Sequence, residues 1–510
     1  MSNSKREGET DMEIIKWLKN GDPEKILFSD ENNAVTYADF RETAQRIGSA
    51  LISRCNVTRK PIVVFIDRNI QSICALFGIV FSGNFYVPVD VNQPTDRIKT
   101  IFRQIQPAAA IRLSGIPEIE EEVREFCSIL DYNEISSAPI DSQALCRIQE
   151  NALDTDPLYA ICTSGSTGVP KAVLISHRSV VDFIPVFVNT FHFSKEEIFG
   201  NQAPFDFDVS TKDIYSALYC GAQMHIIPRV CFSMPKQLID FLNERKISAI
   251  IWAVSAVCIP SGFNSFKYDI PHHLKKVLFS GEQMPMKQLN IWRKYMPEVE
   301  YVNLYGPTEI TCNCMYYVVD RSFEDTEVLP LGKAFANEHV MVIKEDGTPI
   351  KQGETGEICV RGTCLALGYY NAPDRTALAF TQTPEHNSYP ELIYHTGDLA
   401  YLNERNEYVF ASRKDFQIKH MGHRIELGEI ETYASVIESI RMCCCIYDET
   451  KNKIVLFYDG NAEKKEVVNQ LKEKLPKYML PNVYMQLETM PLNKNGKIDR
   501  QKLRSMLNHA

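Results

Sequence analysis

The chain has no long apolar run. Its best stretch, SICALFGIV at residues 72–80, is about half of the ~18 to 20 residues a membrane span needs, and the polar Ser82-Gly83-Asn84 closes it off. The start, MSNSKREGETDMEI, lacks the apolar core of a secretory signal, so residues 1–12 read as a polar leader and the protein as cytoplasmic, with no membrane insertion. Basic charge is also short. Lys+Arg 55 against Asp+Glu 65 leaves −10, a poor prior for a nucleic-acid partner. Fifteen cysteines are present in 510 residues, yet none forms a CxxC pair. They read as reduced core thiols. Even Cys443-Cys444-Cys445 is no metal cluster if it lies on a strand, because neighbouring strand side chains face opposite ways.

What is present is ordinary for a packed protein: 45% hydrophobic and 24% charged residues. Residues 60–66 (KPIVVFI) read as a buried strand, 72–81 as a helix, 86–89 as a strand. Residues 222–227, 235–244 and 249–252 repeat the strand–helix–strand rhythm. That alternation means α/β layers. Beyond the polar Ser412-Arg413-Lys414-Asp415 the pattern changes. An amphipathic helix is expected over 425–440, strands over 442–446 and 453–458, and a Lys/Glu-rich helix over 464–475. The expected division is a leader at 1–12, a large region at 13–414 and a small α+β lobe at 415–510.

The sharpest local signal is TSGSTGVPK at 163–171, after an apolar strand. Glycines let backbone N–H groups curl around an anion, hydroxyls add donors and the lysine adds charge. It is not a GxxxxGK[ST] loop: from Gly165 the lysine is six positions on, but Pro170 precedes it where that loop has glycine. Elsewhere, Tyr305 of NLYGPTE (303–309) offers an aromatic face, and Glu309 offers a hard carboxylate for Mg²⁺. Asp398 of YHTGDL (394–399) is a carboxylate suited to two adjacent O–H donors. In PLNKNGKIDRQKL (491–503), the Asn495-Gly496 turn can present Lys497 at a loop tip.

These segments, with GEICVRG (356–362) and RKDFQIKHMGHRIELGEIE (413–431), resemble in order the motifs of the adenylate-forming (ANL) superfamily. That superfamily includes acyl-CoA synthetases and the adenylation domains of nonribosomal peptide synthetases. The resemblance runs from Val35 to Leu503. It implies α/β subdomains with a small β-barrel part, then a small mobile C-terminal α+β lobe. It also implies ATP and Mg²⁺ as cofactors. Thr163, Ser164, Gly165, Ser166, Thr167, Gly168, Lys171, Asn303, Tyr305, Gly306, Thr308, Asp398, Arg413 and Lys497 would hold ATP. Tyr305 would stack on adenine, Thr308 would touch the α-phosphate and Glu309 would hold the metal. Lys497 would bridge the substrate carboxylate and ATP as the catalytic residue. Asp415 would be the hinge, and Gly422 would line a pantetheine path. The family's usual glycine before the arginine is Ser412 here.

FDVSTKDIYSAL (207–218) narrows the implied substrate. Asp208 aligns with the aspartate that binds the α-amino group in amino-acid-activating members; a competing alignment puts Asp206 there. Val209, Lys212, Trp252, Leu278, Ser280, Leu304, Cys312 and Asn313 would complete the pocket, with Trp252 shrinking it. Lys212 would face a polar substrate group, pair with a pocket carboxylate or snorkel outward. The implied enzyme is a free-standing ligase. It would adenylate an amino acid and pass it to the phosphopantetheine thiol of a separate carrier protein. Peptide-synthetase loaders and D-alanine:carrier-protein ligases are the most similar kinds. Against the latter subgroup, Lys212 replaces an apolar residue and Ser280 a cysteine. The alternative is an acyl-CoA or aryl-acid synthetase using coenzyme A.

Overall fold

The computed structural model describes residues 12–114, 123–165, 169–415, 417–493 and 498–507. Most of the expected leader therefore lies outside the described residues, as do Ser166, Thr167, Gly168 and Lys497.

A seven-stranded sheet runs in the order Gly368–Tyr369, Lys171–Ser176, Pro157–Thr163, Phe85–Asp90, Pro61–Ile66, Ala109–Arg112, Ser128–Asp131. Pro61–Ile66 pairs in parallel with strands on both sides, and all six of its residues are buried. A strand covered on both faces must be a continuous apolar run, and PIVVFI is one. The connection to Phe85–Asp90 is the helix Ile70–Phe81, capped by the Asn69 side chain, which accepts from Ser72 N–H.

In a nine-stranded sheet Lys276–Ser280 is an interior strand, flanked in parallel by Ala249–Ala253 and Glu300–Tyr305. The helix Pro235–Glu244 precedes Ala249–Ala253, with its proline at the first turn, where the missing N–H costs nothing. A five-stranded antiparallel sheet comes next in the chain, built from Glu338–Ile343, Thr355–Gly362, Phe380–Gln382, Leu392–Leu402 and Tyr408–Arg413. No helix among the described residues is long and apolar enough to cross a membrane.

The C-terminal part corrects one expectation. Residues 425–440 are not one helix. Ile425 and Glu426 end the strand His423–Glu426, paired with Gln417–His420. The helix is only Leu427–Ser435. Met421 and Gly422, at φ +52° and +79°, form the two-residue turn of a hairpin, whose twist needs two left-handed residues. Beyond it lies a three-stranded sheet of Ile440–Asp448, Lys453–Gly460 and Val483–Leu487. The last strand is parallel to its neighbour, with the helix Lys464–Lys474 between them in the chain. This sheet has its own apolar packing. Cys443 and Cys445 join Leu456 and Leu471 in one cluster, and Cys444 joins Phe457 and Leu503 in another, as strand alternation requires. All fifteen cysteines are free.

Candidate active site

Open α/β sheets bind ligands beyond the carboxyl ends of their strands. A cleft lies in that position here, lined by the ends of Pro157–Thr163, Lys276–Ser280 and Glu300–Tyr305. Residues 206–209 form one wall, and the hairpin residues Lys419, Gly422, His423 and Arg424 form another.

Thr163 and Ser164 line the cleft. The loop after them returns through Val169 to the strand Lys171–Ser176. Among the described residues, Ser164, Gly165 and Lys171 are engaged by the C-terminal part. Ser164 Oγ donates to Arg424 O at 2.7 Å, and Gly165 N–H donates to Glu429 Oε2 at 3.3 Å. Lys171 Nζ stands 3.3 Å from Glu426 Oε1. Two carboxylates thus occupy an anion-binding loop. At Gly165 a Cβ would come within 2.1 Å of the Val169 carbonyl oxygen. Backbone cannot yield as a side chain can, so Gly165→Ala is expected to lower nucleotide affinity at least tenfold in a titration with ATP, without unfolding the chain.

Asp208 immediately precedes the helix Val209–Cys220, whose amino-terminal dipole favours a negative charge. Burial nonetheless pushes its carboxyl above the usual range, against Lys212 and a hydrogen bond from Thr308. Lys212 is fully buried and donates to Asn313 Oδ1 at 2.6 Å and Ser280 Oγ at 3.4 Å. It therefore does not snorkel outward, and burial lowers its pKa. Asp208, Val209, Ser280, Cys312 and Asn313 face the cleft; Lys212, Trp252, Leu278 and Leu304 stand behind them. The Trp252 indole donates to Gly200 O at 2.7 Å and meets Phe232 edge-on, so it packs the core beneath. Asp206 also faces the cleft. Burial first, then Asp90, pushes its carboxyl up to about 7.

At the opposite corner, Asp398 Oδ2 accepts from Tyr305 Oη at 2.6 Å, and Asp398 Oδ1 accepts from Arg413. Arg413 also holds Asp415, with Nε 2.7 Å from Oδ1. Gly306 and Thr308 line the cleft; Asn303 does not, and its amide donates to Pro330 O at 2.9 Å. Lys419 Nζ lies 5.2 Å from the Tyr305 ring centroid, a cation–π position on the face an adenine would use. Gly422, left-handed, sits where a Cβ would approach that of Ala253 to 3.0 Å, and its N–H bonds Glu282.

Glu309 has no exposure. Arg424 Nη1 contacts its two oxygens at 2.9 and 3.2 Å, and Tyr369 Oη donates at 2.9 Å. Burial opposes its charge, but Arg424 and then Lys171 outweigh that and hold the carboxyl below its usual range. A hard oxygen donor buried beside a phosphate-type loop fits Mg²⁺; in this arrangement the guanidinium supplies the compensating charge.

The sequence motifs leave out Arg97, whose buried guanidinium pairs with Glu429. They also leave out Tyr478, stacked on His423 with ring centroids 3.7 Å apart. Both come from segments outside every motif, so only the tertiary fold reveals them. Arg424 and Glu429 lie inside the 413–431 motif, but their ion-pair partners, Glu309 and Arg97, are more than a hundred residues away.

This arrangement has counterparts among known proteins. Residues 16–370 match the family described as AMP-binding enzyme, and the chain belongs to that family. It is 30% identical over 515 residues to a D-alanine--D-alanyl carrier protein ligase of Bacillus thuringiensis (strain Al Hakam), covering 97% of this chain and 98% of that protein. It is 27% identical over 486 residues to tyrocidine synthase 1 of Brevibacillus parabrevis, covering 94% of this chain but only 43% of that longer protein. The fold is similar to the Vibrio cholerae adenylation domain AlmE, solved with glycyl-adenosine-5'-phosphate. There the TM-score is 0.81 at 19% identity, covering 100% of this chain and 99% of the other.

Proposed function

We propose that the protein adenylates an amino acid with ATP and transfers the aminoacyl group to the phosphopantetheine thiol of a separate carrier protein, in the cytoplasm. The observation that carries the reading is Asp208. It is a carboxylate enclosed in the cleft, with no ion pair to an Arg or Lys side chain among the described residues within 4 Å. A substrate ammonium is the charge that would offset its burial. The similarity to a carrier-protein ligase over nearly its full length supports the second half of the reaction.

In the first half-reaction the substrate carboxylate oxygen attacks the α-phosphorus of ATP, and the bond to pyrophosphate breaks. The loop at 163–171 cradles phosphate oxygens, and Asp398 accepts the ribose hydroxyls once Arg413 and Tyr305 yield. Lys497 brings positive charge to the reacting carboxylate and phosphate, offsetting their repulsion. Glu309 would hold Mg²⁺, which would neutralise charge on the polyphosphate when bound. In the second half-reaction a thiolate attacks the acyl carbon and AMP leaves.

The docked hairpin belongs to the second half-reaction. Glu426 and Glu429 take the Lys171 ammonium and the Gly165 N–H that a polyphosphate needs, so pyrophosphate must have left first. Residues 415–510 would swing about Asp415 to exchange Arg424 for Mg²⁺ at Glu309, a hinge closure of ordinary type.

The test is amino-acid-dependent ATP–pyrophosphate exchange. The panel holds D- and L-alanine, serine, acidic and larger amino acids, and aryl acids. Exchange with at least one α-amino acid is expected, and none with aryl or fatty acids. Exchange confined to acids without an amino group would overturn the role given to Asp208. Thioester formation on coenzyme A, but not on a phosphopantetheinylated carrier, would make the protein an acyl-CoA synthetase instead.

A further inference from the structure

Away from the cleft, on the five-stranded sheet, three dissimilar donors converge. Cys359 and His395 are directly opposite across the pairing of Thr355–Gly362 with Leu392–Leu402, so their side chains share one face. Glu357 is two residues from Cys359, with a register shift between them. Bulges re-aim side chains in this way. The result is a sulfur, a nitrogen and an oxygen all within 4.8 Å of one another.

The spacing is informative. His395 Nδ1 lies 3.4 Å from Cys359 Sγ and 3.1 Å from Glu357 Oε2. Around a tetrahedral zinc, bond lengths of ~2.0 to 2.3 Å place donor atoms roughly 3.3 to 3.8 Å apart, so the nitrogen–sulfur spacing fits as it stands and the nitrogen–oxygen spacing would open slightly. The other imidazole nitrogen is already committed. His395 Nε2 lies 2.9 Å from Thr381 Oγ1, and that hydroxyl donates onward to Gln382 O. The threonine oxygen can accept from Nε2–H, which would leave the Nδ1 lone pair for a metal beside the thiol and the carboxylate. Such an outer partner fixes the tautomer of a metal-bound histidine. In the metal-free protein a proton on Nδ1 joins His395 to Glu357, and a cation would take that proton's place. With sulfur as the third donor, the set suits a soft or borderline metal.

We propose that Glu357, Cys359 and His395 form a binding site for a thiophilic divalent cation of the zinc class, with a water as fourth ligand. Cys359 is buried while His395 is 30% exposed, so the open position faces solvent on the histidine side. Binding displaces the thiol proton to solvent. The neighbouring positive charge is Lys414 Nζ, 3.7 Å from Glu357 Oε2. Its side chain is about half exposed, and the ammonium moves into water as the metal enters. Glu357 Oε1 also accepts from Gly397 N–H at 3.0 Å, so the ligated carboxylate pins the backbone next to Asp398.

The test uses the full chain, chelator-treated and nucleotide-free, titrated with Co²⁺ alone. A near-ultraviolet thiolate-to-cobalt band is expected, with one equivalent of it absent in Cys359→Ser. The other cysteines contribute alike to both proteins, so the difference counts this site. His395→Gln, at a half-exposed position, should weaken that equivalent at least tenfold and serves where the serine variant fails to fold. Zn²⁺ should displace the cobalt, and millimolar Mg²⁺ should not. Identical cobalt spectra and stoichiometry in wild type and in whichever variants fold would overturn the proposal and leave an imidazolium–carboxylate pair.

Discussion

Asp208→Asn is expected to lower amino-acid-dependent pyrophosphate exchange about a hundred- to a thousandfold. Removing one partner of a buried charge pair costs ~3 to 5 kcal/mol, and each ~1.4 kcal/mol is tenfold in rate. Asparagine keeps the shape but presents N–H donors to an ammonium that has none to accept them. It also removes one of the two carboxylates, Asp208 and Asp213, whose charge favours the Lys212 ammonium. The expected signature is a loss confined to substrates that carry an α-amino group. Nucleotide binding should hold, because the 163–171 loop and the Asp398 corner are untouched. Wild-type protein should show a matching pH effect. Burial raises the Asp208 carboxyl, so amino-acid affinity should fall with acid at a pH above the ordinary aspartate range. Exchange by Asp208→Asn within threefold of wild type would remove the amino-group assignment.

The residues legible in sequence are those whose chemistry is local. TSGSTGVPK reads as an anion-binding loop after a strand because the small residues and the lysine are contiguous; that Lys171 opens a returning strand comes from the fold. PIVVFI reads as a buried strand because both faces are apolar. The helix expected over 425–440 fails for a local reason too. Its apolar spacing suits a helix, but the Met421–Gly422 turn folds Ile425 and Glu426 back into a strand. Tertiary pairing is not legible. Nothing near Arg97 announces Glu429, 332 residues away. Nothing near Glu309 announces that Arg424 neutralises it in one arrangement of the chain. Motif alignment puts Trp252 in the pocket, yet its indole finds Gly200 on the neighbouring strand, because a buried N–H must find an acceptor wherever the packing supplies one.

Arg424→Ala should separate the two half-reactions. In the docked arrangement Arg424 is the main compensation for a wholly buried Glu309. It is anchored through Nε to Gln417 Oε1 at 2.7 Å, and its carbonyl accepts from Ser164. Truncation leaves Glu309 with Lys171 and one tyrosine hydroxyl. The cost of ~3 to 5 kcal/mol is expected to fall on this arrangement alone, because under the proposed function Mg²⁺ would compensate Glu309 with the hairpin withdrawn. Single-turnover transfer from a preformed adenylate to a phosphopantetheinylated carrier is therefore expected to fall at least a hundredfold. Pyrophosphate exchange should stay within a few-fold of wild type. Arg424→Lys should fall between, because lysine keeps the charge but not the planar fork that contacts both carboxylate oxygens. The reverse pattern, exchange lost and transfer intact, would assign the docked hairpin to adenylation. Equal loss of both would make Arg424 a purely structural support of the cleft.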